Sequence, residues 1–153
     1  MSHPHILCTR QIDQNWIAEA GKHDINIITK EFIKINPIIT KNLSEKIKSL
    51  RQIKNAAIVF TSKNAVEITA QYYFQSDKQD ILSWKIYCLE GATKKAVEEF
   101  FDPARIIATA RYSHQLADVI LQKETANEIH FFCGDLRREE LPEKLKMSGK
   151  KLF

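Results

Sequence analysis

The sequence predicts an α/β protein built on a parallel sheet. Short apolar runs typical of buried strands recur along the chain, and each is followed by a polar or glycine turn and then by apolar residues at helical spacing. Strands that alternate with helices in this way are joined by right-handed crossovers, which make the strands parallel. The predicted fold class is therefore parallel-sheet α/β, with βα units of the Rossmann or flavodoxin kind.

Five such units follow one another. Their strand-like runs are HILC (5–8), AAIVF (56–60), KIYCL (85–89), RIIAT (105–109) and EIHFF (128–132). Each run is followed by a segment with apolar residues at helical spacing. These segments are Ile12 to Ala20, Ser62 to about Phe74, Ala92 to Phe101, Leu116 to Leu121 and Leu141 to Leu145. We expect Gly21 and Gly149 to end the first and last helices, and Asp102-Pro103 to stop the third.

One stretch interrupts this alternation. INIIT (25–29) and FIKINPII (32–39) are two extended segments with no helix between them. Pro37 lacks the amide that a central strand needs, so the second segment is predicted to be an edge or crossing strand. A chain that leaves one sheet and enters another has this pattern, and we place a domain boundary near residues 34–38.

The composition is that of an ordinary globular domain. The chain has 153 residues, 44% of them hydrophobic and 27% charged, which excludes disordered and collagen-like classes. No apolar run approaches the ~18 residues of a membrane span, and no secretory leader is expected. Because the three cysteines are widely spaced and form no CxxC pair, we interpret Cys8, Cys88 and Cys133 as reduced core residues of a cytoplasmic protein.

The net charge of +4 is concentrated in one segment. Basic residues outnumber acidic ones between Lys41 and Lys54, where Leu43, Ile47 and Leu50 recur at helical spacing. This pattern favours an amphipathic helix with a solvated basic face. A phosphate-binding stripe is the alternative interpretation, but we expect no nucleic-acid partner.

Common enzyme motifs do not occur in the sequence. It contains no GxGxxG, GxxxxGK[ST], GxSxG or HExxH. His3 and His5 form an isolated HxH pair, which predicts no metal site, while His23 and His130 are interpreted as structural histidines whose hydrogen bonds are satisfied. His114, at the start of a helix, is the histidine placed to meet a ligand.

The strand-to-helix turns are the candidate ligand site, because ligands of parallel sheets bind at the carboxyl ends of the strands. These turns are Thr9-Arg10, Thr61 to Asn64, Glu90 to Thr93, Ala110 to Ser113 and Cys133 to Asp135. Two of the four glycines, Gly91 and Gly134, lie in them. Ser62, Thr93, Ser113 and Asp135 are residue types that cap helices. Helix capping alone would explain these residues, but the nearby Arg10, Lys63, Arg111 and Arg138 favour an acidic ligand.

These turns resemble the uroporphyrinogen-III synthase family. The resemblance rests on ILCTR (6–10), IVFTSKNAVE (58–67), IYCLEGATKKAV (86–97), Ser113 to Ile120 and FFCGDLRREELPEKL (131–145), which occur in the family's order. It implies two α/β domains joined by extended crossings. Residues 1–35 would be an N-terminal βαβ fragment of a discontinuous first domain, and residues 36–153 the complete inserted second domain with its return crossing.

The family activity implied is the cyclisation of hydroxymethylbilane to uroporphyrinogen III, with inversion of ring D, loss of water and no cofactor or metal. A tyrosine proposed for catalysis in the family lies past the glycine corresponding to Gly149, beyond residue 153, so no catalytic residue is assigned here. We therefore expect a chain that stops short of the family's full length and is inactive alone. The apolar elements of its incomplete first domain would favour self-association.

The substrate implied by the resemblance carries eight carboxylates. The residues expected to bind it are Arg10, Thr61, Ser62, Lys63, Asn64, Gly91, Ala92, Thr93, Ser113, Gly134, Asp135 and Arg138. Arg138 could instead pair with Glu139 or Glu143 on a helix surface. A non-catalytic short paralogue that binds an acidic small molecule is the alternative function.

Overall fold

The computed structural model describes residues 4–74 and 83–153. The chain divides into two compact units, Met1–Ile38 and Ile39–Phe153. His3, one half of the HxH pair, lies outside the described residues. The two units are described separately below.

The first unit is a single βαβ element. Strand β1 (His5–Cys8) leads to helix α1 (Gln14–Lys22) and then to strand β2 (Asn26–Thr29). The two strands pair in parallel, with His5 opposite Asn26. Asp13 begins the helix, because its carboxylate accepts a hydrogen bond of 2.8 Å from the Asn15 amide.

The end of α1 differs from the sequence prediction. The helix continues through Gly21 to Lys22 and is capped at His23, so Gly21 is not its C-cap. Asp24 takes the left-handed conformation instead, with φ of 56°. Aspartate tolerates this conformation because its short side chain hydrogen-bonds locally, so no glycine is needed at the turn.

The second extended segment, residues 32–39, is not a strand. Phe32 donates a backbone hydrogen bond of 3.2 Å to Thr9, but no ladder follows it. Pro37 has no amide to donate, which is consistent with the break in pairing.

No described residue of the first unit is buried. Its large apolar side chains are exposed, including Trp16 at 70%, Leu7 at 55% and Ile28 at 49%. A two-stranded element of this kind has little core of its own. Self-association through this unit stays a prediction.

The second unit contains a five-stranded sheet flanked by helices. Its elements are α2 (Lys41–Leu50), β3 (Ala57–Phe60), α3 (Lys63–Phe74), β4 (Lys85–Leu89), α4 (Ala92–Phe100), β5 (Ile106–Ala110), α5 (Ser113–Lys123), β6 (Glu128–Phe132), α6 (Glu140–Met147) and β7 (Lys151–Leu152). The strands are ordered β5-β4-β3-β6-β7. Every described pairing among them is parallel, which confirms the predicted fold class.

The two faces of the sheet form two apolar layers. Alternate residues of β3 divide between them: Ile58 and Phe60 pack with α2, α3 and α4, and Ala57 and Val59 pack with α5 and α6. This alternation follows from the period-2 geometry of a strand. The result is a doubly wound α/β/α sandwich.

Aromatic side chains fill the layer beneath α2, α3 and α4. The rings of Phe60 and Phe132 lie 5.6 Å apart, and Tyr73 meets Trp84 edge-on at 4.8 Å. Trp84 Nε1 donates a hydrogen bond of 3.1 Å to the carbonyl of Leu50, so the indole enters the core without losing its polar partner.

The expected helix ends in this unit are confirmed. Helix α4 stops at Phe100, and Asp102 begins a short 3-10 turn by accepting a 2.9 Å hydrogen bond from Ala104. Helix α6 ends at Met147, and Gly149 follows with φ of 83°. Glycine adopts that conformation at little steric cost.

A buried carboxylate ties the amino-terminal edge of the sheet together. Glu124 is 3% exposed and accepts hydrogen bonds from the Ala126 amide at 2.8 Å, the Tyr87 hydroxyl at 3.0 Å and Lys85 Nζ at 3.3 Å. Lys150 Nζ donates to the carbonyls of Glu124 and Ala126, each at 2.8 Å. These contacts join β4, the end of α5 and the residue before β7.

Candidate functional site

The turns after β3, β4, β5 and β6 leave the sheet of the second unit at the same edge, because its strands are parallel. From β3 the chain adds β4 and β5 on one side, and then returns to add β6 and β7 on the other. The order therefore reverses between β3 and β6. In open α/β sheets, ligands bind in the crevice outside the strands at such a switch point.

The register brings the two switch-point turns to the same level. Phe60, the last residue of β3, pairs with Phe132, the last residue of β6. Thr61 and Cys133 thus begin their turns side by side, on strands about 5 Å apart. The sequence identified both turns but could not show that they are neighbours.

The β3 turn presents backbone amides and hydroxyl groups. The Ser62 carbonyl accepts a hydrogen bond from Val66 as α3 begins, but within residues 4–74 and 83–153 the Ser62 hydroxyl has no hydrogen-bond partner. The first amides of a helix lack intrahelical acceptors, so this turn can donate to an anion. Lys63 pairs with Glu67 at 3.2 Å, which partly neutralises its charge.

The β6 turn carries two adjacent arginines with different roles. Arg137 Nε lies 3.0 Å from Glu139, and Arg137 Nη1 lies 3.8 Å from Cys133 Sγ. Arg138 is exposed and makes no ion pair with another described residue. The alternative pairing of Arg138 with Glu139 or Glu143 is therefore absent from the described part of the chain, where Glu139 pairs with Arg137.

The glycines and the aspartate of these turns have distinct conformations. Gly91 begins α4 with φ of 74° and ψ of −129°, which only glycine adopts readily, and no side chain caps the helix. Gly134 and Asp135 are exposed in the β6 turn. Asp135 accepts a 2.9 Å hydrogen bond from the amide of Leu136.

Three of the four expected helix caps are wrong, and the fourth, Ser62, directly precedes α3 but makes no side-chain capping bond within the described residues. Thr93 lies inside α4 and is buried, Ser113 is the first residue of α5 after the N-cap Tyr112, and α6 is capped at Glu139, well past Asp135. An N-cap is the residue directly before the first helical residue, and none of these three residues has that position. The open amides at Ala92 and its neighbours consequently have no side-chain cap.

The turn at Thr9-Arg10 belongs to a different sheet. Strand β1 pairs with β2 in the two-stranded sheet of the first unit, so four predicted turns share an edge and not five. Arg10 is exposed there.

Two other sequence interpretations are corrected. His130 is buried, but its Nδ1 atom has no hydrogen-bond partner among the described residues, so its hydrogen-bonding capacity is not satisfied. Cys88 is a core residue, whereas Cys8 and Cys133 are half-buried because they lie at strand ends.

His114 is exposed and approaches Glu140, with 3.7 Å between Nδ1 and Oε1.

The described residues contain no group of three or more histidine, cysteine, aspartate or glutamate side chains arranged to hold a metal ion. No described helix has the length and apolarity to cross a membrane. The chemistry that this edge offers is hydrogen bonding from amides and hydroxyls, together with the Arg138 guanidinium. Carboxylates accept hydrogen bonds from donors of these kinds.

The fold and this edge together define a doubly wound α/β protein whose switch point suits an anionic ligand. Comparison with known families is more specific. Residues 15–152 match the family described as uroporphyrinogen-III synthase HemD, and the chain belongs to that family. The family is one of lyase-type enzymes of tetrapyrrole biosynthesis.

Solved structures with a similar fold include three of uroporphyrinogen III synthase from Thermus thermophilus. A mutant enzyme matches with a TM-score of 0.69, the wild-type enzyme with 0.57 and a third structure with 0.53, each at 10% identity over 97% of this chain. The chain spans 59% of the first two proteins and 60% of the third. No curated protein matches the sequence.

Proposed function

We propose that this chain binds hydroxymethylbilane at the carboxyl edge of its second unit and takes part in its conversion to uroporphyrinogen III. Membership of the synthase family supports the substrate. The observation that carries the proposal is the switch point between β3 and β6, where the β3 turn, with the first amides of α3, and the β6 turn, with Arg138, follow neighbouring strand ends.

The substrate's eight carboxylates suit the donors at this edge. The residues proposed to form this edge are Thr61, Ser62, Lys63, Asn64, Gly91, Ala92, Ser113, Gly134, Asp135 and Arg138, with Thr93 contributing its backbone amide. Among the side chains, Arg138 is the strongest candidate because its guanidinium is exposed and carries no ion pair with another described residue. Asp135 would orient the β6 turn, since a carboxylate does not itself attract an acid.

The binding edge would act chiefly by holding the substrate in one folded geometry. In the proposed reaction the terminal hydroxyl leaves as water, and the resulting electrophilic carbon bonds to the substituted carbon of ring D before the macrocycle closes. The linear tetrapyrrole also cyclises spontaneously to the other isomer. Restricting its conformation therefore decides the product, and fixed hydrogen-bond donors supply that restriction.

A matched pair of arginine variants tests the binding edge. Enzymatically generated hydroxymethylbilane, or the stable eight-carboxylate uroporphyrin III, is titrated into the 153-residue chain and followed by amide NMR shifts. We expect saturable shifts in the β3 and β6 turns, with Arg138→Gln weakening affinity about ten-fold, the loss of one charge-assisted contact. Arg137→Gln should weaken it less, because Arg137 is already engaged by Glu139 and Cys133.

Two outcomes would overturn this proposal. One is the absence of saturable binding by the folded chain. The other is binding confined to the basic helix α2, with affinity that falls steeply with salt and is unchanged in Arg138→Gln.

Binding without turnover is the second candidate function. It is favoured by the chemistry of this edge, whose amides, hydroxyl groups and Arg138 guanidinium bind carboxylates. An assay that separates the two uroporphyrinogen isomers distinguishes the candidates, because a catalytic chain raises the fraction of isomer III above the spontaneous level. Tight binding with an unchanged isomer ratio identifies a binding module.

A further inference from the structure

A second group of side chains lies at the same edge of the sheet, two strands from β3, and was not predicted from the sequence as a unit. Arg111 and Tyr112 follow β5, His114 lies in the first turn of α5, and Glu140 opens α6. The rings of Tyr112 and His114 are parallel, with an interplanar angle of 6° and centroids 5.8 Å apart. We call these four residues the β5 cluster.

The β5 cluster is exposed rather than part of the core. Tyr112 is 51% exposed and the His114 side chain 49%. Both apolar layers are formed without either ring. Two parallel rings held at the surface offer a flat face on which another ring can stack.

The charges of the β5 cluster are arranged asymmetrically. The Arg111 guanidinium lies 5.6 Å from the Tyr112 ring, and it makes no ion pair with another described residue. Glu140 instead approaches the His114 ring, with 3.7 Å between its Oε1 and His114 Nδ1, and would repel an acid there. A ligand ring with an acidic substituent would therefore stack with that substituent towards Arg111.

The β5 cluster also adjoins the binding edge. The Glu90 amide donates a 2.9 Å hydrogen bond to the Ala110 carbonyl, so the β4 and β5 turns begin side by side. Two strand spacings, about 10 Å, separate the end of β5 from that of β3. An elongated molecule held at the switch point can reach the cluster.

We propose that Tyr112 and His114 form a stacking platform for one pyrrole ring of the substrate, and that Arg111 pairs with a carboxylate on that ring. This inference rests on the proposed function, since it assigns a further subsite for the same tetrapyrrole. The ligand class is an electron-rich aromatic ring that carries carboxylates.

Three probes separate stacking from charge. They are uroporphyrin III, a monopyrrole bearing acetate and propionate groups, and the non-aromatic tricarboxylate citrate, each titrated into the 153-residue chain. With the monopyrrole we expect upfield shifts of the Tyr112 and His114 ring protons. Tyr112→Leu keeps apolar bulk and should weaken both pyrrole ligands about five-fold while leaving citrate unchanged. Arg111→Gln should weaken all three ligands.

A matched control lies on the same helix, away from the β5 cluster. Lys123→Gln removes one positive charge at the far end of α5. It should leave all affinities within two-fold. The exposed positions allow each variant to fold, which its amide spectrum verifies.

The outcomes separate this proposal from the proposed function. Saturable uroporphyrin III binding with unchanged affinity in Tyr112→Leu overturns the platform and leaves the binding edge intact. Absence of any tetrapyrrole binding by the folded chain overturns both.

Discussion

The hydroxyl of Tyr87 donates a 3.0 Å hydrogen bond to Glu124 Oε2 beneath the sheet. Burial would raise the pKa of Glu124, but the bonds from Ala126, Tyr87 and Lys85 together hold it below its usual value. The same burial and the neighbouring carboxylate raise the pKa of Tyr87 far above its usual range, so the phenol remains a donor. The pair therefore fixes the amino-terminal edge of the sheet, opposite the proposed site.

Tyr87→Phe should destabilise the second unit by about 1.5–3 kcal/mol, because it removes a hydrogen bond to a buried charge. Urea unfolding at pH 7 measures this loss. Tyr72→Phe on α3 is the matched control, since that half-buried hydroxyl has no hydrogen-bond partner among the described residues, and its effect should stay within about 0.5 kcal/mol. Equal losses in the two variants would contradict the role of the pair.

The contribution of Glu124 should disappear in acid. Its folded pKa lies below the usual 4.5, so its stabilisation is fully present above that pH and is lost as the pH falls through the folded value. The difference in the free energy of unfolding between wild type and Tyr87→Phe should accordingly shrink below pH 4.5. A difference that is constant from pH 7 to the acid limit would show that the ionised carboxylate is not involved.

His130 should make stability depend on pH near neutrality. Burial and the nearby positive charge of Lys46 lower the pKa of His130 below the usual 6.5, although Glu128 acts in the opposite direction. The imidazole ring stacks on the ring of Phe153, with 5.5 Å between the centroids. As the pH falls, His130 therefore takes up a proton in the unfolded chain before it does so in the folded chain. The free energy of unfolding should fall as the pH drops below 6.5, until the folded pKa is reached.

The variant His130→Phe keeps a ring against Phe153 and should lose this component of the pH dependence. Urea unfolding at about pH 7.5 and 5.5 compares the two proteins, because the exposed histidines are common to both. Parallel pH profiles would exclude His130 as the source.

Gly91 and Gly134 form a matched pair of glycines. Gly91→Ala should cost about 1–3 kcal/mol, because φ of 74° with ψ of −129° is strained for any residue with a side chain. Gly134→Ala should change stability by less than about 0.5 kcal/mol, since an added methyl group there meets no atom within 4 Å and the backbone φ is not positive. Thermal unfolding compares them, and similar losses would refute the conformational argument.

The cysteines should differ in alkylation rate. Burial raises the pKa of the Cys88 thiol to about 11, so little thiolate is present at neutral pH and the reagent cannot reach it. Iodoacetamide followed by mass spectrometry should label the half-buried Cys8 and Cys133 in the folded chain, and Cys88 only after unfolding in urea. Rapid labelling of Cys88 in the folded chain would contradict its place in the core.

Much of the local structure was predictable because it depends on short-range periodicity. The bounds of KIYCL and EIHFF coincide with β4 and β6, and the apolar spacing of Leu43, Ile47 and Leu50 gave α2. Helix caps were less predictable. Ser113 and Asp135 have the right chemistry, but a cap is defined by the residue at which packing lets the helix begin.

The α/β class, the order of the elements and the polar turns were predictable from the sequence, since hydrophobic period and turn chemistry are local properties of the chain. Tertiary structure decided that β6 pairs with β3, which creates the switch point, and that His114 meets Glu140. It also assigned the turn at Arg10 to a different sheet from the other four turns. Those relationships depend on pairings between residues that are distant along the chain. The free energy that favours one strand order comes from burying both faces of the sheet at once. No local sequence pattern encodes which strands pair.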